Sequence, residues 1–193
     1  MARPKSEEPA ASAVYKIEKA FWELLEKRDF SEITIQVLAR EAGINRNSLY
    51  YHYGNMQEVA EAAFGNVLSD EASMAFMDML LAGPAEIVQN WEPMGLTDKI
   101  RKVHLFARSN SPLLRSLLEK TLISRWFRKL GIQREALSPE ELLRIDYISN
   151  GFIGILGNRA VADDPRILAS FPGSPIGKAA IQTMQQMTKG GDK

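Results

Sequence analysis

The 193-residue sequence contains no cysteine. This absence excludes a disulfide framework, a thiolate zinc site and a cysteine nucleophile, and it fits a reducing compartment. An excess of one charge is also lacking, because 24 Lys and Arg residues balance 24 Asp and Glu residues. The charge of the whole chain therefore favours neither a nucleic acid nor a membrane as partner, and any electrostatic attraction has to be local.

Long apolar runs are missing as well. The N-terminal stretch MARPKSEEPAAS carries basic side chains with no apolar segment behind them, and no run of about eighteen apolar residues follows. We therefore expect a cytoplasmic protein with no membrane partner, in which residues 1–11 form a flexible basic tail. Because 45% of the residues are hydrophobic, the chain can still bury a substantial core.

Signatures of enzyme chemistry are scarce. Only two histidines occur, His52 and His104, and neither lies three residues after a glutamate, as a carboxylate di-iron bundle requires. HExxH, GxSxG and a phosphate-binding loop are absent. We therefore expect no enzyme activity, no metal and no cofactor, and a helical-bundle enzyme is the weakest of the functions considered.

Apolar residues recur at helical spacing along most of the chain, and no segment shows the alternation of a β-strand. The first amphipathic helix is predicted from about Ser12 to Lys27. Thr34 suits the N-cap of a short second helix, Gly43 a tight turn, and Asn45 the N-cap of a third helix. The sequence therefore predicts an all-α fold.

More helices are predicted in the rest of the chain. They run from Met56 to about Leu81, from about Thr97 to Ser109, along SPLLRSLLEKTLISRWFRKLG, from Pro139 to about Ala162, and from Pro175 to about Met187. The segment DDPRILASFPGSP is predicted to be a loop.

Residues 42–53, AGINRNSLYYHY, are the most distinctive stretch. Two short helices joined by a glycine turn form a helix-turn-helix, whose second helix lies in the DNA major groove. Placing Leu49 in the core, with Ile44 and Tyr53 beside it, leaves Asn47 and Tyr51 on the outward face.

The residue types on that helix suit DNA. Arginine reads guanine, asparagine reads adenine, and serine and tyrosine hydroxyls donate to phosphate oxygens. Arg46, as the first helical residue, can reach forward to a base or a phosphate. Helical corners of this kind also occur in proteins that never touch DNA, and His52 fits a packed histidine as well as a phosphate contact.

The segment ITIQVLAREAGINRNSLYYHYGNMQEV resembles the N-terminal DNA-binding domain of the TetR family of bacterial transcriptional regulators, over about Ser12 to Phe64. The threonine before the second helix and the stretches LA.EAGI and SLYYHY.N share the family's order and spacing. The resemblance implies a three-helix head at residues 12–56 and an all-helical body at residues 57–189 that binds a small ligand and dimerises. It also implies base contacts by Arg46, Asn47 and Ser48, and phosphate contacts by Thr34, Gln36, Tyr50, Tyr51 and His52.

Two features depart from the family pattern. Many members carry a lysine that contacts phosphate at the start of the fourth helix, where this chain has Met56. Residues 1–55 contain eight basic and eight acidic residues, whereas a DNA-binding domain is usually basic. These two departures leave open an alternative function, that of an adaptor with the same fold that binds a protein partner instead of DNA.

The body offers candidates for a ligand site and a dimer interface. An apolar pocket is predicted from Met and aromatic residues, although such residues at helical spacing are more often ordinary core. These candidates are Met77, Trp91, His104, Phe106, Trp126, Phe127 and Tyr147. Glycines at three-residue spacing allow close helix packing at a dimer interface, or mark a kink or helix end. The interface candidates are Gly151, Gly154, Ile155 and Gly157.

Together these patterns favour a ligand-responsive transcriptional repressor that binds a near-palindromic operator in double-stranded DNA as a homodimer. Its effector would be a partly apolar small molecule.

Overall fold

The computed structural model describes residues 12–187, which form α-helices joined by turns and short 3-10 segments, with no β-strand in this range. The all-α prediction is therefore confirmed. The helices are α1 (Ala13–Lys27), α2 (Ile35–Glu41), α3 (Arg46–His52), α4 (Met56–Val67), α5 (Asp70–Ala82), α6 (Pro84–Asn90), α7 (Leu96–Ala107), α8 (Pro112–Leu130), α9 (Pro139–Leu156), α10 (Arg159–Asp163) and α11 (Pro175–Gln186). None of the helices in residues 12–187 is long and apolar enough to cross a membrane.

The chain divides into two units. The first extends to Asn66 and includes residues 109–113, and the second contains residues 67–108 and the chain from Leu114 onwards. The division therefore falls near the end of α4 rather than at its start, where the sequence placed it. The tail expected at residues 1–11 and the end of the body expected at residues 188–189 lie outside the described residues.

The first unit is built on apolar residues that α1 to α4 bury together. The fully buried residues include Phe21 of α1, Leu38 of α2, Leu49 of α3 and Val59 of α4. Burying side chains of this size stabilises the fold by about 1.5–3 kcal/mol each, relative to leaving them exposed. The short helices α2 and α3, which would be marginal alone, are thus held by tertiary packing.

A carboxylate also joins the helices of the first unit. Asn66 of α4 donates from Nδ2 to both carboxylate oxygens of Glu18 on α1, at 2.8 and 2.9 Å. The hydroxyl of Tyr53, just after α3, lies 3.4 Å from Glu18 Oε1. Glu18 thus ties the residue after α3 and the last turn of α4 to α1.

The second unit has its own cores. Phe106 of α7 is fully buried, and Phe127, Ile145 and Met184 bring α8, α9 and α11 together in a second cluster. His104 is buried in α7, where its Nδ1 lies 2.8 Å from the carbonyl oxygen of Leu156. This hydrogen bond satisfies a polar group that would otherwise be costly to bury.

Two predicted helices turned out to be interrupted. The helix expected from Met56 to Leu81 breaks at residues 68–69, because the hydroxyl of Ser69 accepts from the backbone N–H of Ala72 and starts a new helix. The helix expected to reach Ala162 ends at Leu156, and Asn158 caps the short α10 in the same way. Periodicity did not reveal these breaks, since the apolar pattern continues across them.

The predicted loop DDPRILASFPGSP is instead a 3-10 helix over Pro165–Gly173. Its start is capped by Asp164, whose side chain accepts from the backbone N–H of Arg166 at 3.0 Å. The short helix α6 was not predicted. Both elements begin at a proline. In the sequence, each proline was interpreted as the end of a helix, but the fixed φ of proline also suits the first residue of a helix.

Candidate nucleic-acid interface

The α2–turn–α3 segment is defined by hydrogen bonds local in sequence. Thr34 Oγ1 accepts from the backbone N–H of Val37 at 3.2 Å and caps α2. Gly43 has a φ of +65°, a conformation that glycine adopts without strain, so the chain turns sharply there. Asn45 Oδ1 then accepts from the backbone N–H of Ser48 at 2.7 Å and caps α3. Both predicted caps are confirmed.

The inner face of α3 anchors it to the first unit. Leu49 is fully buried, and Tyr53 is buried beyond the helix end. Ile44, which was expected in the core, is only half-buried, because it stands in the turn before the helix. These contacts leave the opposite side of α3 to solvent, where Tyr51 is 86% exposed.

Arg46 and Tyr50 form a pair one helical turn apart on α3. Arg46 Nη2 donates to the Tyr50 hydroxyl at 3.1 Å, and the guanidinium carbon lies 5.3 Å from the centre of the tyrosine ring. The pair directs the arginine along the helix surface and restricts its rotamers. A guanidinium has five N–H donors, so this bond leaves others for a base or a phosphate.

The remaining predicted DNA contacts lie on the surface of the same segment. Asn47 and His52 are exposed on α3, Ser48 is half-buried, and Gln36 is exposed in the first turn of α2. The ring of His52 lies edge-on to Tyr51, with 5.2 Å between ring centres. Thr34 is exposed as well as capping α2. The structure therefore brings all eight predicted residues together on α2, α3 and the residue before α2.

The start of α4 differs from a phosphate-binding helix start. Glu58 accepts from the backbone N–H of Gly54 at 2.8 Å and from the Asn55 side-chain amide at 2.9 Å, while Asn55 Oδ1 accepts from the Glu58 backbone N–H. This is a reciprocal cap of the capping-box kind. Because the protein's own carboxylate occupies the helix start, and Met56 is uncharged, this end of α4 attracts a phosphate less than a lysine there would.

The second unit contains an apolar cavity of about 70 Å³. Two of the predicted ligand residues, Met77 and Trp126, line it. Tyr147 lies elsewhere, on the exposed side of α9, where it is 82% exposed.

The other four ligand candidates do not line the cavity. Trp91 is buried and donates from Nε1 to Thr97 Oγ1 at 2.8 Å. His104 bonds to the Leu156 carbonyl oxygen, Phe106 is fully buried, and Phe127 belongs to the core cluster of α8, α9 and α11. These aromatic residues form part of the hydrophobic core, which is the more common role of aromatic residues at helical spacing.

Sequence reasoning missed the three polar residues of the cavity, Ser73, Lys99 and Arg125. Arg125 lies in the segment SRWFRKL, where it resembles one of the basic residues common near a helix C-terminus. Nothing in the sequence indicates that its side chain is only 11% exposed.

Three of the predicted interface residues lie on α9, and the fourth, Gly157, caps its C-terminal end. A side chain at Gly151 or Gly154 would meet no other group within 4 Å, and both glycines are exposed. They lie beside an apolar groove whose lining includes Ile155, Tyr147 and residues of α11. Gly157 differs, because a Cβ atom there would lie 3.0 Å from the carbonyl oxygen of Ala107. Close packing against the end of α7 within the same chain therefore explains why a residue without a side chain occupies position 157.

A helix-turn-helix whose second helix presents an arginine, an asparagine and tyrosines to solvent is the arrangement that helix-turn-helix DNA-binding proteins place in the major groove. Residues 17–63 match the family model described as bacterial regulatory proteins, tetR family. This N-terminal segment of the chain is therefore similar to the tetR family, and its helix-turn-helix matches the DNA-binding fold of that family's regulators. The match is confined to this segment.

The chain is also similar to the crystal structure of the TetR family repressor AlkX from Dietzia sp. strain DQ12-45-1b, implicated in biodegradation of n-alkanes. Sequence identity is 20%, the alignment covers 92% of this chain and 100% of that chain, and the TM-score is 0.45. A likeness of this degree supports no inference about function. No curated protein matches the chain.

Proposed function

We propose that this protein is a cytoplasmic transcriptional repressor that binds a near-palindromic operator as a homodimer and releases it when a small molecule binds the second unit. The observation that carries the proposal is the outward face of α3. It presents Arg46, Asn47 and Tyr51 on a helix that the buried Leu49 and the Asn45 cap hold in place.

Sequence readout would come from the start of α3. Arg46 and Asn47 are the side-chain types that make bidentate bonds to guanine and adenine in the major groove. Tyr50, Tyr51, His52 and Thr34 would place the helix by contacts to the phosphate backbone, which carry no sequence information. Prior ordering of Arg46 by Tyr50 lowers the entropy lost when the arginine binds a base.

A second copy of the chain would cover the groove between α9 and α11. Leu143, Tyr147 and Ile176 line this groove and are 69%, 82% and 73% exposed. Open space at Gly151 and Gly154 would allow a partner helix to approach the α9 backbone closely. A twofold interface of this kind repeats the same patch on both subunits, and it would pair two recognition helices with two half-sites.

Selection of bound genomic DNA fragments tests the proposal. The purified protein should enrich fragments that share an inverted repeat with half-sites roughly 34–36 Å apart. Affinity should fall steeply with salt, because phosphate contacts release counterions. Recovery of no fragment above background, together with capture of a defined protein partner, would instead favour the adaptor that the balanced head charge and Met56 leave open.

Two variants sharpen that test. Arg46→Ala and Arg28→Ala each remove one positive charge, the first from α3 and the second from the end of α1. Only the α3 variant should lose the enriched repeat. Equal behaviour of the two variants would indicate that the observed binding is electrostatic and unspecific.

A further inference from the structure

Arg46 contacts Tyr50 in two ways. Its Nη2 donates to the tyrosine hydroxyl at 3.1 Å, and its guanidinium carbon lies 5.3 Å from the centre of the ring. The hydrogen bond fixes one end of the planar guanidinium, and attraction to the face of the ring holds the rest of the group close to it. The arginine therefore has a preferred position on the surface of α3 before any DNA is present.

The pair leaves the arginine able to read a base. A guanidinium carries five N–H groups, and the bond to Tyr50 uses one of them. A bidentate contact to guanine uses two more. The contact to Tyr50 and a base contact can therefore exist at the same time.

The Tyr50 hydroxyl keeps a donor of its own. A phenolic hydroxyl can donate one hydrogen bond and also accept. Here it accepts from Arg46, so its hydrogen remains to be donated, and the side chain is 43% exposed. A bond from a charged donor polarises the hydroxyl and strengthens the bond that the hydroxyl donates in turn. The acceptor that DNA offers beside the major groove is a phosphate oxygen.

Tyr51 provides a comparison within the same helix. Residues four apart lie on one side of an α-helix, as Arg46 and Tyr50 do, whereas Tyr51 is turned about 140° from Arg46 around the helix axis. The ring of Tyr51 lies against His52, with 5.2 Å between ring centres. The helix thus carries one tyrosine joined to the arginine and one placed away from it.

We infer that Tyr50 is a positioning residue for sequence readout, although it contacts no base itself. Its hydroxyl accepts from Arg46 and donates to a backbone phosphate, and this bridge fixes where along the groove the guanidinium lies. An arginine without the bridge samples more rotamers, so its long side chain reaches the edges of neighbouring bases as well. The inference rests on the proposed function and deepens it, because it assigns part of the sequence specificity to a residue that contacts phosphate.

A single-base-pair series of the operator tests the inference. The repeat that the full chain enriches is changed one position at a time, in both half-sites together, and the affinity for each DNA is measured. Arg46→Ala first identifies the base pair that Arg46 reads, because discrimination among bases disappears at that position. Tyr50→Phe should lower discrimination at the same position about three- to tenfold per half-site and leave it unchanged at the others.

Tyr51→Phe is the matched control, because it removes the same hydroxyl from the next residue of the same helix. It should weaken binding to every DNA by one factor and keep the base preference of the wild type. Both tyrosines are exposed, so neither substitution opens a cavity, and both variants should keep a melting temperature near that of the wild type. A uniform loss by Tyr50→Phe on every DNA, or an equal loss of discrimination by Tyr51→Phe, overturns the inference.

The double variant Arg46→Ala/Tyr50→Phe separates action through the arginine from an independent contact. Once Arg46 is absent, removal of the Tyr50 hydroxyl should no longer alter base preference. The combined loss of operator affinity should then be smaller than the product of the two single losses. Losses that multiply would show that the two side chains act independently, which also overturns the inference.

The same measurements distinguish the inference from the proposed function. Enrichment of a repeat whose base preference survives Tyr50→Phe rejects the inference and keeps the function. Failure of the wild-type protein to enrich any repeat rejects both.

Discussion

At the scale of single residues, the proposed function makes Arg46 the side chain on which base recognition should depend most. Arg46→Ala should lower affinity for the cognate operator by about 1–3 kcal/mol, the usual value of one bidentate base contact, and leave binding to random DNA nearly intact. Fluorescence anisotropy on both DNAs measures the two affinities. An equal loss on random DNA would contradict base readout by this arginine.

Tyr51 should behave differently. It is 86% exposed on α3, so its hydroxyl can reach a phosphate, and a phosphate contact carries no sequence information. Tyr51→Phe should therefore weaken operator and random DNA by the same factor. Unchanged affinity for both at low salt would mean that the hydroxyl contacts only solvent.

The raised pKa of Tyr53 predicts that the free energy of unfolding depends on pH. Burial, followed by the nearby Glu18 carboxylate, raises the pKa of Tyr53 from 10.0 to about 12. Between these values the unfolded chain loses the phenolic proton while the folded chain keeps it. The contribution of the tyrosine is therefore complete below pH 10 and declines as the pH rises towards 12.

Comparison with Tyr53→Phe isolates this effect, because phenylalanine keeps the ring and cannot ionise. Urea unfolding midpoints of the two proteins should converge or cross as the pH rises through this range. A constant difference between the midpoints would show that Tyr53 has an ordinary pKa in the folded state.

At the scale of elements, α9 carries the clearest test. Gly154→Leu should dissociate the proposed dimer by blocking close approach of a second helix, although leucine is a better helix former than glycine, by somewhat less than the roughly 0.8–1 kcal/mol that separates alanine from glycine. A monomer with an unchanged or higher melting temperature is thus the expected result. Light scattering gives the mass.

Gly65→Leu is the matched control for that experiment. Gly65 is an exposed glycine of α4, and a Cβ atom added there would meet no other group within 4 Å. Replacing it by leucine therefore gives a similar gain in helix propensity. Its mass should not change. A normal dimer in Gly154→Leu would rule out this face of α9 as the interface.

Elements were predictable from sequence where their determinants are local. Thr34, Gly43 and Asn45 specify α2, the turn and α3 within a few residues, and the structure confirms all three. The break at Ser69 was missed because apolar periodicity continues through it. Of the cavity, only Met77 and Trp126 were predicted, since its other lining residues, such as Ser73 and Arg125, are far apart in sequence and meet only through packing.

At the scale of the whole molecule, DNA binding should depend on two copies of α3. One recognition helix makes few contacts, and a dimer turns the second binding event into an intramolecular one. A monomeric Gly154→Leu protein should therefore lose operator affinity by far more than the Arg46→Ala dimer does. Gel-shift titrations of both variants against the wild type compare these losses directly, and similar losses would indicate that each head binds independently.

The capped start of α4 has a consequence for the cell. With Glu58 closing that helix end and Met56 beside it, the head has fewer sites for backbone phosphates, so random genomic DNA should retain the protein weakly. A genome offers about a million or more such competing sites, and they normally sequester most copies of a regulator. A regulator that they hold weakly can keep its operator occupied at a low copy number, and it can return to that operator quickly once the effector is consumed.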